Sequence, residues 1–223
     1  SLQVRSAASV QLCLTVVLCL TVDLCRGASK QRQWRDSSSE KYFDESLPSA
    51  RYAHSMTFDA ESKLLFLFGG QTSSYDFLND MFVLDYWGRS STNVSAITLA
   101  SPGPRASSGM AAVNGNVYIF GGADDGQVFG DLLCFVPSEL AWNSVSYTGT
   151  APVARRDLGF AAAAAPANET GEWLYVFGGL GADDVLLGDL AGFDPAARRW
   201  HALPQEPHPP PARHQHGLAA LGG

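Results

Sequence analysis

Four arginines, Arg51, Arg105, Arg155 and Arg213, each stand three residues after a proline, at Pro48, Pro102, Pro152 and Pro210. Residues at one register of a repeating unit recur at one place in the folded chain. A ring of such guanidinium groups, with Arg156 adding a charge beside one of them, can receive carboxylates or sulfates through paired N–H donors. The competing reading is structural: an arginine at fixed register braces neighbouring units by donating to loop carbonyls. Histidines cluster near the end of the chain at 201, 208, 214 and 216, and His214 and His216 could place two imidazoles on one side of a strand. His54 and His216 both sit three residues after a repeat arginine, however, so a register position is favoured over a metal site and no metal is expected. Asp124-Asp125 and Asp183-Asp184 could attract calcium or a basic partner. The ligand set is incomplete, and ordinary turn chemistry is the stronger reading. No nucleophile elbow, phosphate-cradling loop or His-Glu-x-x-His motif is present. No catalytic residue and no cofactor is assigned.

Composition narrows the partner. A formal charge of -7 with no basic block gives no footprint for phosphate backbones, so nucleic acid is excluded. The cysteines at 13, 19, 25 and 134 match neither a zinc spacing nor a disulfide framework. Residues 1–28 read as a signal peptide: Arg5, an apolar run from Val10 to Val22, then Gly27, Ala28 and Ser29, with cleavage after Gly27. The run is shorter than the roughly 20 residues that cross a bilayer, and a signal anchor is the alternative. Sequons at Asn93 and Asn168, both expected in loops, agree with delivery to the secretory pathway or to the extracellular face of a membrane.

The elements that must position these groups are legible as a repeat. Apolar runs end in paired glycines at Gly69-Gly70, Gly121-Gly122 and Gly178-Gly179. Five continuous apolar residues bounded by turn signals describe a strand buried on both faces, between neighbouring sheets. The glycines supply positive φ or a close backbone approach. Ser55, Gly109, Gly159 and Gly217 follow the arginines by four residues and should open an inner strand. Asp80, Asp131 and Asp189 open a third strand, and Trp142 and Trp200 mark a fourth, with Ser91 in that place in the first repeat. Asn114-Gly115 signals a two-residue hairpin between the first two strands, and Gly222-Gly223 aligns with it. Each unit is therefore a four-stranded meander, a-b-c-d. In this register the alanine run 161–165, helical by propensity, becomes an inner strand.

With its Pro-x-x-Arg, Tyr-x-Phe-Gly-Gly, Asp and Trp landmarks, the sequence resembles the long kelch repeat over residues 33–223. The resemblance implies an all-β, kelch-type β-propeller, incomplete at about three and a half four-stranded blades. The repeats would span 48–101, 102–151, 152–209 and a truncated 210–223. Residues 29–47, with Trp34, would form an N-terminal segment able to supply a closing strand. Resemblance to extracellular kelch proteins such as attractin implies recognition of a protein or glycan by loops at one face. The alternative is part of a secreted enzyme, galactose oxidase-like or sugar epimerase-like, with its catalytic residues elsewhere.

Overall fold

The computed structural model describes residues 47–85, 91–94, 101–167, 169–204 and 210–220. They form three four-stranded antiparallel sheets, each a simple meander: β1 (Ser55–Asp59) to β4 (Ser91–Asn93), β5 (Gly109–Val113) to β8 (Ala141–Ser144), and β9 (Gly159–Ala164) to β12 (Arg199–Ala202). Within them lie β2 (Leu64–Gln71), β3 (Phe77–Asp85), β6 (Asn116–Phe120), β7 (Leu132–Val136), β10 (Glu172–Leu180) and β11 (Leu186–Asp194). The inner strands β1, β5 and β9 lie side by side, so the sheets are successive blades of a propeller.

Each of the three inner strands opens on one of the small residues expected there, because the chain entering the next blade presses against that position. A Cβ on Gly109 would collide with the Phe160 side chain, and one on Gly159 would stand 2.7 Å from His216 Nε2. The Ser55 hydroxyl instead donates to the Ser108 carbonyl at 2.7 Å. In β9 the alanine run is extended, with Ala161 opposite Tyr175 and Ala163 opposite Trp173. Register and packing override its helical propensity.

The second strand of each blade is buried on both faces. In β6, Tyr118 and Phe120 join a core with Leu174, Val176, Phe193 and Trp200 of the third blade. Val117 and Ile119 join one with Phe66, Phe68 and Met81 of the first. Burying such side chains is worth about 1.5–3 kcal/mol each, so adhesion between blades contributes substantially to stability. The tryptophans bridge blades: Trp142 packs against Phe68 at 5.2 Å between ring centroids, and Trp200 against Phe120 at 5.3 Å. Each thus touches the aromatic residue that precedes the neighbouring blade's paired glycines. Ser91 occupies the same ladder position, opposite Leu84 as Trp142 is opposite Phe135.

Asn114 and Gly115 turn β5 into β6 with φ of 51° and 71°, the conformation a two-residue hairpin requires. Three placements need correction. Asp80 and Asp189 stand fourth in β3 and β11 rather than opening them, whereas Asp131 directly precedes β7, and Gly217 opens no strand among the described residues. Asn93 is the last residue of β4, paired with Phe82, rather than a residue of the loop between the third and fourth strands. Without a bulky side chain at Ser91 to mark its start, the strand was hard to delimit from sequence. Asn168, the N-terminal segment through residue 46 with Trp34 and the leader, His208, and Gly222-Gly223 lie outside the described residues. Cys134 is a buried free thiol whose pKa is raised by burial.

Candidate functional site

A four-stranded meander alternates direction, so the start of strand a, the end of b and the start of c meet at one end of each blade. The repeat arginines stand at that end. The Arg155 guanidinium donates to both oxygens of Asp189 at 2.8 Å, to the Gly178 carbonyl at 3.0 Å and to the Val153 carbonyl at 3.0 Å. Arg105 repeats the pattern with Asp131 and Gly121, and Arg51 with Asp80 and Gly69. Arg105 also stacks its guanidinium on Phe129, 3.8 Å from the ring centroid. All three arginine side chains are almost wholly enclosed. Their donors are therefore engaged by the fold and are not presented to a ligand, which is the bracing alternative.

The same arginines link blades through their backbones. The carbonyl of Arg105 accepts from the Gly70 N–H at 2.9 Å, that of Arg155 from Gly122 at 2.9 Å, and that of Arg213 from Gly179 at 2.8 Å. The approach explains the first glycine of each pair. With φ of 62–69°, a Cβ on Gly69 or Gly178 would stand 2.5 Å from the next arginine's carbonyl oxygen, and one on Gly121 would overlap that of Arg155. Arginine, aspartate and diglycine are thus one clamp: the side chain ties its own blade together, and the carbonyl ties it to the preceding one. Arg213 makes the same backbone contact and donates through Nε to Pro211.

Two residues beyond each arginine a further device appears. Ala53, Ser107, Asp157 and Gln215 all adopt φ between 52° and 58°. Ser107 N–H donates to Ala53, Asp157 to Ser107 and Gln215 to Asp157, at 2.8–3.0 Å. This chain of main-chain bonds runs from blade to blade beside the inner strands. Left-handed backbone at non-glycine residues costs of order 1–3 kcal/mol each and persists because the surrounding bonds determine it.

The loops beyond these clamps are where side chains are free. Of the large apolar residues most open to solvent, Tyr75 and Val185 stand in b–c connections, Val153 in a d–a connection, Leu47 and Tyr52 in the segment leading into β1, and Leu186 at the first position of β11. Tyr147 is also in a d–a connection, its ring edge-on to Trp200. Between the first two b–c loops an open groove of about 580 Å³ is lined by residues 75–77, Pro104 and 124–127. In it Asp124 forms an ordinary turn, accepting from Gly126 and Gln127 N–H at 2.8 and 2.9 Å, and these bonds lower its pKa. Asp184 pairs with Arg156, which also lies 3.8 Å from Asp157.

Histidines 54 and 216 occupy the register expected of them. A Cβ on Gly70 would meet His54, and one on Gly178 would meet His216. Burial and the adjacent Arg51 lower the pKa of His54, and burial with Arg213 lowers that of His216. His216 packs edge-on against Phe177 at 5.4 Å. Among the described residues no three His, Cys, Asp or Glu side chains converge as a metal site.

A model of the KLHDC2/KLHL20/DRC7 kelch-repeats domain matches residues 19–223. The chain belongs to this kelch-repeat family. Similar proteins include the Rab9 effector protein with kelch motifs of Xenopus laevis, 30% identical over 78% of this chain and 48% of the relative. Its Mus musculus counterpart is 29% identical over 78% of this chain and 46% of the relative. Tip elongation aberrant protein 1 of Schizosaccharomyces pombe is 34% identical over 78% of this chain but 15% of its own length. The chain spans about half the length of the Rab9 effector proteins it matches.

Within the kelch blades, sequence reading found each half of the clamp without joining them. One arginine and one aspartate of opposite charge recur per repeat, and that equal count was the available signal. The exposed kelch loop residues Tyr75, Val153 and Val185 were missed outright. For Tyr75 the hint was an aromatic residue among Ser and Asp in a loop.

Proposed function

We propose that this kelch module is a protein-docking module that binds through its d–a and b–c loops. The observation that carries the reading is the placement of exposed apolar side chains at or beside those connections, while none of the large apolar residues most open to solvent stands in a described a–b or c–d turn. Exposed apolar area rimmed by polar groups marks interaction surfaces. The clamps beneath hold the loop roots rigidly, which lowers the ordering cost of binding. The relatives named as Rab9 effectors make a Rab-type small GTPase the first partner to test.

The test is direct binding of purified Rab9, loaded with a GTP analogue or with GDP, to the intact protein by biolayer interferometry. Val153→Ser with Val185→Ser should weaken binding at least tenfold, whereas Ala60→Ser and Ala197→Ser in the opposite turns should leave it unchanged. Absence of binding in both nucleotide states overturns the Rab assignment. Loss in the turn variants alone overturns the docking face.

A further inference from the structure

We propose that the groove between the first and second b–c loops seats an arginine-bearing, extended basic segment of the protein partner. This deepens the docking reading above and rests on it. The groove is defined first by an aromatic wall. Tyr75 is 72% exposed, the most open large apolar side chain among the described residues. Its loop is firmly built: Tyr75 N–H donates to Thr72 and Gln71 Nε2 to the Tyr75 carbonyl, both at 3.0 Å, while Thr72 N–H donates to Asp76 at 3.0 Å. The backbone beneath the ring is thus ordered before binding, and a tyrosine side chain, with two χ angles, offers its contact area at low entropic cost.

Charge then selects the occupant. The walls carry Asp76, Asp124 and Asp125, and the lining holds no Lys, Arg or His. Asp124 is held by two backbone N–H groups and stays ionised at neutral pH. Asp125 has no partner among the described residues. The nearby Arg105 is already engaged by Asp131 and leaves the anionic character in place. A guanidinium can stack on the Tyr75 ring and present its fork to a carboxylate at once, which an ammonium cannot do with the same geometry. The groove is about 580 Å³ and open to solvent, which suits an extended segment laid across it better than an enclosed small molecule.

Fluorescence anisotropy of the intact protein with three labelled peptides tests this: an arginine-glycine repeat, its lysine counterpart and a glutamate counterpart. The arginine peptide should bind most tightly. Tyr75→Ala and Asp125→Asn should each weaken it about fivefold or more, Tyr75→Phe should retain most of the affinity, and Asp183→Asn in the third b–c loop should change nothing. Equal weakening by Asp183→Asn, or equal binding of the lysine peptide, would indicate diffuse attraction and overturn the groove. Rab9 binding provides the separation from the broader reading. If that binding is lost in the Val153/Val185 variant but untouched by Asp125→Asn and Tyr75→Ala, the docking face stands and the arginine groove falls.

Discussion

Replacing Asp189 by asparagine tests the clamp most directly, because it changes charge and hydrogen bonding with almost no change in volume. Arg155 is fully enclosed, 0% exposed, and four of its donor contacts go to Val153, Gly178 and the two oxygens of Asp189. The amide removes the counter-charge and turns an N–H group toward a guanidinium that has only donors. Breaking a fully buried pair costs about 3–5 kcal/mol, since the remaining charge is stranded. The Asp189 side chain is 51% exposed, so water can partly compensate, and the expected loss falls to about 2–3 kcal/mol. For a domain of 150–250 residues that corresponds to roughly 4–12 °C in melting temperature. Asp184→Asn is the internal control: it also breaks an arginine pair, but with a carboxylate 75% exposed and Arg156 partly open, and should cost under about 1 kcal/mol. Urea unfolding followed by tryptophan fluorescence, with m-values compared so that a change in the unfolded state is not mistaken for one in the fold, measures both. Equal effects at the two aspartates would refute the clamp.

Two further outcomes follow from the same geometry. Gly121→Ala should cost more than about 2 kcal/mol because its Cβ overlaps the Arg155 carbonyl, whereas Gly115→Ala, with φ of 71° and open space around it, should cost only about 1 kcal/mol of backbone strain; similar losses by chemical denaturation would remove close approach as the reason for the diglycine. His54 and His216 have folded pKa values below the unfolded 6.5, so the unfolded state binds more protons and stability should fall as pH drops below about 6.5. Melting at pH 7.5 and 5.0 should show a smaller pH difference in a His54→Gln, His216→Gln variant than in the wild type, and an unchanged difference would contradict the assignment.

The fold was legible because its determinants are local and repeated. Gly69, Gly121 and Gly178 each close an apolar strand, and Trp142 and Trp200 fall at a constant interval, so three copies of a weak signal made a strong one. The strand starts at Ser55, Gly109 and Gly159 followed from the same register. What escaped was pairing across distance. Arg155 and Asp189 are 34 residues apart, and only the meander brings strand c back to the root of strand a. The positive φ at Ala53, Ser107, Asp157 and Gln215 escaped for a different reason: no residue type at that register announces it. It is imposed by the hydrogen bonds of neighbouring blades.

The division between legible and hidden parts has a functional consequence. The clamp fixes where each d–a and b–c loop begins and ends, using enclosed arginines, their aspartate partners, carbonyls and glycines that recur in all three described blades. Residues beyond those roots, such as Tyr75, Asp125, Val153 and Val185, contribute little to the core and differ from blade to blade. Identity at equivalent positions would give each blade the same surface, yet the first b–c loop offers an aromatic ring, the second paired carboxylates, and the third Val185 beside an Arg156–Asp184 pair. A partner that spans several blades therefore meets a sequence of different chemistries at fixed spacing. Specificity of that kind resides in side chains that repeat analysis discards as noise, while the repeat itself supplies only their coordinates.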